Sequence, residues 1–272
     1  MIWDIMARKL KSEKYRYGNY DKYYNDRNID RWVDPRMQIL EKSWFEHRSV
    51  IDIGSNDGTL TILIACNFNP SSIIGIEIDH RLINRAVENC VYIEKIRTQL
   101  LQSLDQIEAL LEFRDFPISF QQYLKIPNHV QSLQPLLSLK DHIATTGVFP
   151  NNISFKNSNI LETDLKCDTV LCLSTIKWIH LNWGDSGVKD LFRYVYEMLP
   201  DGGLFIFEPQ DWKSYKKAKV KSALLCQNFN QILFRPEEFG GFLEGLGFVC
   251  VKVLTPCGQK ENFNREIFVY RK

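Results

Sequence analysis

The chain has 272 residues, of which 44% are hydrophobic and 25% charged, so its composition is that of a globular protein long enough for one large α/β domain. Its net charge of +1, from 34 lysines and arginines against 33 aspartates and glutamates, neither requires nor excludes a nucleic-acid partner. No apolar run approaches the roughly 20 residues of a membrane helix, and the seven cysteines contain no CxxC pair, so neither a membrane partner nor a metal site is expected.

The first part of the chain predicts an irregular arm followed by alternating strands and helices. Residues 1–33 are polar, aromatic and basic, and they lack the apolar core of a signal peptide, so we expect an arm on a cytosolic or nuclear chain. Asp34-Pro35 has the form of an N-cap followed by proline at the first helical position, which predicts a helix to about His47. Further on we expect strands at 50–53 and 72–78, a helix at 59–68, and one long or two broken helices at 81–113.

The second part predicts an insertion and then the rest of a sheet. Residues 114–150 contain four prolines and no clear period, which indicates an inserted surface loop. Strands are expected at 153–155, 169–173, 204–207, 249–254 and 266–270, and helices at 188–198, 215–229 and 236–246. Alternating strands and helices predict an α/β fold with a mostly parallel, doubly wound sheet, and the closing strand pair predicts an antiparallel addition at one edge. We therefore expect a single domain over 34–272, with residues 1–33 as an arm contributing to its site.

The segment 50–58, with the sequence VIDIGSNDG, is the first pattern with a functional meaning. Gly54 lets the backbone approach a ligand closely, and Gly58 lets the next helix pack near the strand. Glu77 lies 23 positions after Gly54, where an acidic residue accepts hydrogen bonds from ribose hydroxyls. Asn56 replaces the middle glycine of a dinucleotide turn, which favours S-adenosylmethionine over NAD. The alternative is a plain strand–turn–helix with chance glycines.

Two polar segments follow later strands of the predicted sheet. The segment 173–185, LSTIKWIHLNWGD, brings a lysine, two tryptophans, a histidine and an asparagine into one predicted loop, and FEPQDW at 207–212 follows the next strand. Ligands of open α/β sheets bind beyond the carboxyl ends of the strands, so both segments are expected at one cleft. The alternatives are an amphipathic connector with core tryptophans and a turn held by Pro209. The lysine run at 213–221 is, taken alone, more typical of a solvated helix face.

These segments together closely resemble one family, the Bin3 family of RNA methyltransferases. The resemblance runs from about Tyr17 to the C-terminus, with 97–147 as the main unmatched part, and 173–185 is its most specific segment because general methyltransferases lack it. The matching stretches are YGNYDKYYNDRN, DIGSNDG, GIEIDHRLI, VFPNN, LCLSTIKWIHLNWGD and EPQDW. The resemblance implies a Rossmann-like class I methyltransferase that uses S-adenosylmethionine and methylates the 5′-terminal γ-phosphate of a small RNA. It also implies ribonucleoprotein proteins as further partners and favours the nucleus.

The resemblance further implies roles for individual residues. Expected to bind the cofactor are Tyr24, Arg36, Gly54, Ser55, Asn56, Glu77, Ile78, Asp79, Asn159, Ile160 and Leu173. Expected to be catalytic at the RNA end are Tyr23, Arg27, Lys177 and His180. Expected to bind the RNA end are Trp178, Asn182, Trp183, Glu208, Gln210 and Trp212. The chain departs from the family pattern at Ser55, which replaces Cys, at Glu77, which replaces the commoner Asp, at 157–160, and at Asp211, which replaces Pro.

The chemistry that the resemblance implies needs no strong general base. A terminal phosphate has a second pKa near ~6 and is largely anionic at neutral pH, so the protein has to hold the reacting atoms in line and exclude water. Three alternatives stay open at this point. They are a 5′-monophosphate acceptor, a small-molecule acceptor, and an RNA-binding protein that retains the methylated end with little turnover.

Overall fold

The computed structural model describes residues 16–20, 23–24, 32, 34–112, 148–255 and 265–272. It contains a seven-stranded sheet in the order β3-β2-β1-β4-β5-β7-β6, in which β1 to β5 are parallel and β7 is antiparallel to both neighbours. The strands are β1 (Ser49–Ile53), β2 (Ser72–Glu77), β3 (Ile153–Asn157), β4 (Thr169–Leu173), β5 (Leu204–Glu208), β6 (Val249–Leu254) and β7 (Ile267–Arg271). The helices are α1 (Thr59–Phe68), α2 (His80–Glu112), α3 (Ile176–Met198), α4 (Trp212–Ala218), α5 (Ala223–Gln231) and α6 (Phe239–Leu246). The predicted fold class is confirmed.

The central strands are buried on both faces because helices cover both sides of the sheet. Successive side chains of a strand point to opposite faces. On β5, Phe205 and Phe207 therefore join one hydrophobic cluster, together with side chains of α3 and α6. Leu204 and Ile206 join the other cluster, together with side chains of α1. This two-sided burial explains why β4 and β5 are continuous apolar runs in the sequence.

The strand order reverses between β1 and β4, and this reversal positions the site. The chain passes from β1 outward to β2 and β3, and then returns to place β4 on the other side of β1. At such a switch the connections that follow neighbouring strands diverge, which opens a crevice beyond the carboxyl ends of the strands. The turn after β1 and the start of α3 both lie at this crevice.

The predicted helix from Pro35 to His47 is wrong: the segment forms two short 3₁₀ turns instead, Pro35–Gln38 and Lys42–Trp44. Asp34 does cap the first turn, because its carboxylate accepts the Arg36 amide. The segment buries both Arg36 and Phe45. At 100° per residue these two side chains would lie on opposite faces of a continuous helix, whereas two separate turns let both face the core.

The predicted loop at 173–185 is largely helical. Helix α3 begins at Ile176, and its two parts join across Gly184, whose φ of 66° and ψ of −165° are not helical. Ile176, Ile179, His180 and Trp183 recur at helical spacing and are buried or half-buried. The polar residues between them hid this period in the sequence. The expected functional loop is therefore mostly helix, and the start of this helix lies at the crevice.

The remaining predicted elements are found, several of them with shifted ends. The stretch 81–113 is one long helix, α2, while the expected helix at 215–229 is split into α4, a 3₁₀ turn at Lys219–Lys221, and α5. The split occurs because Ser222 is extended, with φ of −153° and ψ of 147°. The predicted insertion at 114–150 lies almost wholly outside the described residues.

None of the helices described for this chain combines the length and the apolar character needed to cross a membrane.

Candidate active site

A cavity of about 330 Å³ occupies the crevice at the carboxyl ends of β1, β2 and β4. Nine of the residues expected to bind a cofactor line it, namely Tyr24, Arg36, Gly54, Asn56, Glu77, Ile78, Asn159, Ile160 and Leu173. Ser55 and Asp79 do not line it. Asp79 instead accepts hydrogen bonds from Asn19 of the arm and from Arg81, so it ties the arm to the end of β2.

The turn after β1 forms one end of this first cavity. Gly54 has a φ of +76°, and its amide and that of Ser55 donate to the Ile76 carbonyl at 2.8 and 3.1 Å. A Cβ atom on Gly54 would lie 2.2 Å from Oγ1 of Thr175, at the start of α3. The turn is therefore in close contact with α3 on one side and bonded to β2 on the other, and only glycine fits at its apex.

Glu77 ends β2 and points its carboxylate into the turn. One oxygen accepts the Asn56 amide at 3.1 Å, and the other accepts the Ile78 and Asp79 amides at 2.8 and 3.1 Å. Burial of the side chain raises the pKa of Glu77 to about 7, although the three amide bonds oppose the increase. A carboxylate has about four acceptor positions, so these amides leave room for a hydroxyl donor. The arrangement suits a ribose.

The described arm residues Tyr17, Gly18, Tyr20, Tyr23 and Tyr24 also line the first cavity. Tyr17 stacks on Trp183 with ring centroids 5.9 Å apart, and Tyr20 contacts Trp178 edge to face at 5.8 Å. Tyr17, Gly18 and Tyr20 were part of a recognised motif, but the sequence assigned them no role. Their aromatic character was the available signal, since aromatic rings beside two tryptophans predict stacking. Arg27, an expected catalytic residue of the same arm, lies outside the described residues.

A second cavity, of about 700 Å³, adjoins the first. The two cavities share four wall residues, Tyr20, Lys177, Gln210 and Arg265. The second cavity also contains Lys213, Lys217 and Lys221, against the acidic side chains Asp211, Glu237 and Glu266. With Lys177 and Arg265 included, cations outnumber carboxylates in its wall, so the cavity favours an anion. Three lysines of the run at 213–221 therefore line the second cavity.

Lys177 lies at the junction of the two cavities. Its amide donates to Oε1 of Gln210 at 3.1 Å, and its Nζ lies 3.4 Å from Oγ of Ser214 and 4.8 Å from the centre of the Trp178 ring. Burial, reinforced by the nearby Arg265, lowers the pKa of Lys177 to about 7. An anion at the junction would favour the protonated form of this amine.

His180 does not line either cavity, although it was expected to be catalytic. The side chain is fully buried between Tyr215, whose hydroxyl lies 3.3 Å from Nδ1, and Asp185, whose carboxylate lies 2.9 Å from Nε2. Asp185 in turn accepts the amides of Leu233 and Phe234. Burial lowers the pKa of His180. The imidazole links α3 to Tyr215 of α4, and Asp185 links α3 to the segment after α5. The position of His180 follows from the helical period of α3, which turns it away from the crevice.

Three further residues expected at the RNA end also lie away from the cavity walls. Asn182 exchanges hydrogen bonds with Arg16, accepting from its Nε at 2.8 Å and donating to its carbonyl at 3.0 Å, and so anchors the arm. Trp212 stacks on Phe229 with ring centroids 4.6 Å apart. Glu208 is fully buried and lines neither cavity. Tyr23, Lys177, Trp178, Trp183 and Gln210 do line the first cavity.

Glu208 lies within a buried charge network behind the junction. It accepts the Ser174 hydroxyl at 2.6 Å, and its carboxylate is 3.5 Å from Arg36 and 3.3 Å from Arg265. Arg36 is only 1% exposed and also forms two hydrogen bonds with Asp34, at 3.0 and 2.7 Å. The network joins the arm side of the site to the junction. No sequence pattern had identified Arg265, which precedes the last strand in an ordinary polar stretch.

Similarity to known proteins covers most of the chain. A family model described as Bicoid-interacting protein 3 (Bin3) matches residues 167–272. The chain is 34% identical to the human 7SK snRNA methylphosphate capping enzyme over 97% of its own length and 40% of that protein. It is 34% identical to a probable RNA methyltransferase of Arabidopsis thaliana, covering 97% of this chain and 83% of that one. It is 33% identical to the U6 snRNA methylphosphate capping enzyme Amus of Drosophila melanogaster, covering 96% and 76%.

The fold is also that of a solved methyltransferase. The N-methyltransferase NodS of Bradyrhizobium japonicum, in complex with S-adenosyl-L-homocysteine, superposes with a TM-score of 0.54 at 14% identity, covering 97% of this chain and 98% of that one. At this level of identity the likeness establishes the class I methyltransferase fold. The chain spans about two fifths of the length of its human relative.

Proposed function

The chain belongs to the Bin3 family, and from this premise we propose that it transfers a methyl group from S-adenosylmethionine to the 5′-terminal γ-phosphate of an RNA. Two of the similar proteins carry the name methylphosphate capping enzyme and a third the name probable RNA methyltransferase. The single observation that carries the proposal is the junction, where a nucleotide-type cavity adjoins a basic one beside Lys177. A small-molecule acceptor would leave the basic cavity without a role.

The first cavity suits the cofactor. The Gly54 turn allows close approach of a ligand, Glu77 suits the ribose hydroxyls, and Asn159 and Ile160 line the part of the cavity proposed for the adenine. When bound there, S-adenosylmethionine supplies an electrophilic methyl group. The aromatic arm residues above the cavity exclude water from the reacting atoms, which favours transfer to phosphate over hydrolysis.

The junction suits the acceptor phosphate. The attacking oxygen is already anionic at neutral pH, so the residues of the junction have to bind and orient it rather than remove a proton. Lys177 neutralises part of the phosphate charge without a covalent role, because it lines both cavities. His180 acts at a distance by holding α3, and therefore Lys177, in position.

The names of the similar proteins also suggest a cellular location and a class of RNA for this chain. Two of the similar proteins are named for small nuclear RNAs, so we propose a nuclear location and a small RNA held in a ribonucleoprotein. The RNA itself contributes the phosphorylated 5′ end, and further proteins of the particle would contact surfaces outside the two cavities.

Methyl transfer from labelled cofactor to one RNA, prepared with a 5′ triphosphate, monophosphate or hydroxyl, tests the proposal. We expect label on the triphosphate RNA, because the second cavity accommodates the phosphates behind the reacting one, and we expect phosphatase treatment to abolish it. Labelling of the monophosphate RNA alone would show that the acceptor is the α-phosphate and not the γ-phosphate. Labelling of hydroxyl RNA would refute a phosphate acceptor, and one turnover followed by retained methylated RNA would identify a cap-holding subunit.

Cofactor affinity should depend on pH through Glu77. Ribose hydroxyls donate to the ionised carboxylate, and burial raises the pKa of this group to about 7, so the protein must lose a proton before it binds well. Affinity should therefore rise as pH increases from about 6 to 8, by at most about tenfold per pH unit below the pKa. Calorimetry with S-adenosylhomocysteine measures this. Glu77→Gln should bind more weakly with a flatter profile, and an equally steep profile in that variant would refute the assignment.

A further inference from the structure

Arg265 occupies the wall that separates the two cavities. It precedes β7 and is one of the four residues that line both cavities, with 18% of its side chain exposed. Because β7 pairs with β5, this arginine lies beside the end of β5, next to Ser174 at the end of β4. The last strand of the sheet therefore delivers a cation to the junction, from a segment distant in sequence from every recognised motif.

The side chain is held by two buried groups. Its Nη1 donates to Oγ of Ser174 at 2.9 Å and to Oε1 of Glu208 at 3.3 Å. Glu208 is fully buried and also contacts Arg36, which pairs with Asp34. A guanidinium anchored from behind loses little conformational freedom on binding a ligand in front, which is the usual arrangement of a preorganised anion site.

The chemistry of arginine matches a polyphosphate. A guanidinium presents several donors in one plane and binds two phosphate oxygens at once, whereas an ammonium acts as a point charge. The attacking oxygen must keep its electron density, so the strongest donors belong on the phosphate oxygens that do not react. Lys177 and Arg265 lie on the same wall, which provides one cation of each kind for a chain of phosphates.

We propose that Arg265 is an acceptor-binding residue that donates hydrogen bonds to the non-reacting phosphate oxygens of the RNA 5′ end. This rests on the proposed function for the identity of the ligand, but the anion site itself does not depend on methyl transfer. Glu208 and Ser174 are positioning residues that act through Arg265. The second cavity then holds the phosphates and the first nucleotide, while the first cavity holds the cofactor.

The test compares Arg265→Ala, Arg265→Lys and a matched control, Arg271→Ala. Arg271 is an exposed arginine at the far end of the same strand and lines neither cavity. For each protein, KM and kcat for 5′-triphosphate RNA, affinity for S-adenosylhomocysteine and melting temperature are measured. RNA affinity is measured over a range of salt concentrations, and inorganic triphosphate serves as a competing ligand.

For Arg265→Ala we expect KM for the RNA to rise roughly ten- to a hundredfold, the usual effect of losing a charge-assisted hydrogen bond. The plot of log affinity against log salt should become shallower, with the magnitude of its negative slope lower by about 0.7 to 0.9, because one phosphate contact is lost. Cofactor affinity and melting temperature should stay as in the unaltered protein. Arg265→Lys should recover part of the loss, and Arg271→Ala should behave as the unaltered protein.

Three results would separate the possible failures. An unchanged KM and salt slope in Arg265→Ala would overturn the assignment. Parallel loss of RNA binding, cofactor binding and melting temperature would overturn it too, since that marks a structural role. If the unaltered protein methylates no RNA end, but inorganic triphosphate binds it and fails to bind Arg265→Ala, the proposed function fails while the anion site stands.

Discussion

Replacing Gly54 with valine is expected to abolish cofactor binding and methyl transfer. The backbone at this position has a φ of +76°, and a Cβ atom would lie 2.2 Å from Oγ1 and 2.6 Å from Cγ2 of Thr175. A β-branched residue is strained in this conformation wherever it occurs. Here the turn must also move away from α3, and the Asn56 amide that bonds to Glu77 would move with it. Calorimetry with S-adenosylhomocysteine and the methyl-transfer rate measure the loss.

A matched glycine separates strain from site disruption. Gly202 has a similar φ of +81°, but no heavy atom lies within 4 Å of the position that its Cβ would occupy. Gly202→Val should therefore lower the free energy of unfolding by only about 1–2 kcal/mol, the cost of a left-handed residue, and should bind the cofactor normally. Normal cofactor binding by Gly54→Val would contradict the assignment of the first cavity.

Replacing Arg36 with methionine should destabilise the fold more than any surface change. Arg36 is 1% exposed and lies between the carboxylates of Asp34 and Glu208, at 2.7 and 3.5 Å. Methionine fills similar space but leaves buried negative charge without its partner. Breaking a buried ion pair in this way costs about 3–5 kcal/mol, so we expect the free energy of unfolding in urea to fall by that amount.

The control for Arg36 is an exposed arginine in an ion pair of nearly the same length. Arg193 contacts Asp190 at 2.8 Å on the surface of α3, and both side chains are more than half exposed. Arg193→Met should change the free energy of unfolding by at most about 1 kcal/mol. Equal effects of the two substitutions would show that the network around Glu208 contributes no more than a surface pair.

Local patterns were enough to predict much of the fold. α1 is found at the expected residues because an apolar run is bounded by Gly58 and Asn69, both in the left-handed region that starts or ends a helix. β4 also matches, since a strand buried on both faces is a continuous apolar run. The prediction of one helix over 34–47 was wrong. The N-cap at Asp34 is real, but the segment forms two short 3₁₀ turns, which bury both Arg36 and Phe45.

Several of the site residues that belong to a local sequence motif were predicted correctly as cavity residues. Gly54 and Glu77 are found at the cavity because the turn and the next strand end are local features. Arg265 was missed because its place depends on β7 pairing with β5, a contact between distant parts of the chain. His180 was expected at the cavity because its neighbours in sequence are there, but successive residues of a helix point about 100° apart.

The position of β7 has a consequence for how the protein is made. β7 is the last strand in sequence, yet it lies between β5 and β6, so β6 has no place in the described sheet until β7 has been inserted. A ribosome must finish residue 271 before that edge closes, and only then does Arg265 reach the junction. The nucleotide turn is therefore synthesised well before Arg265, which is the last cation to join the anion wall. Synthesis that stops before residue 265 would leave the lysines of this wall in the chain but without the arginine proposed to bind the phosphate end.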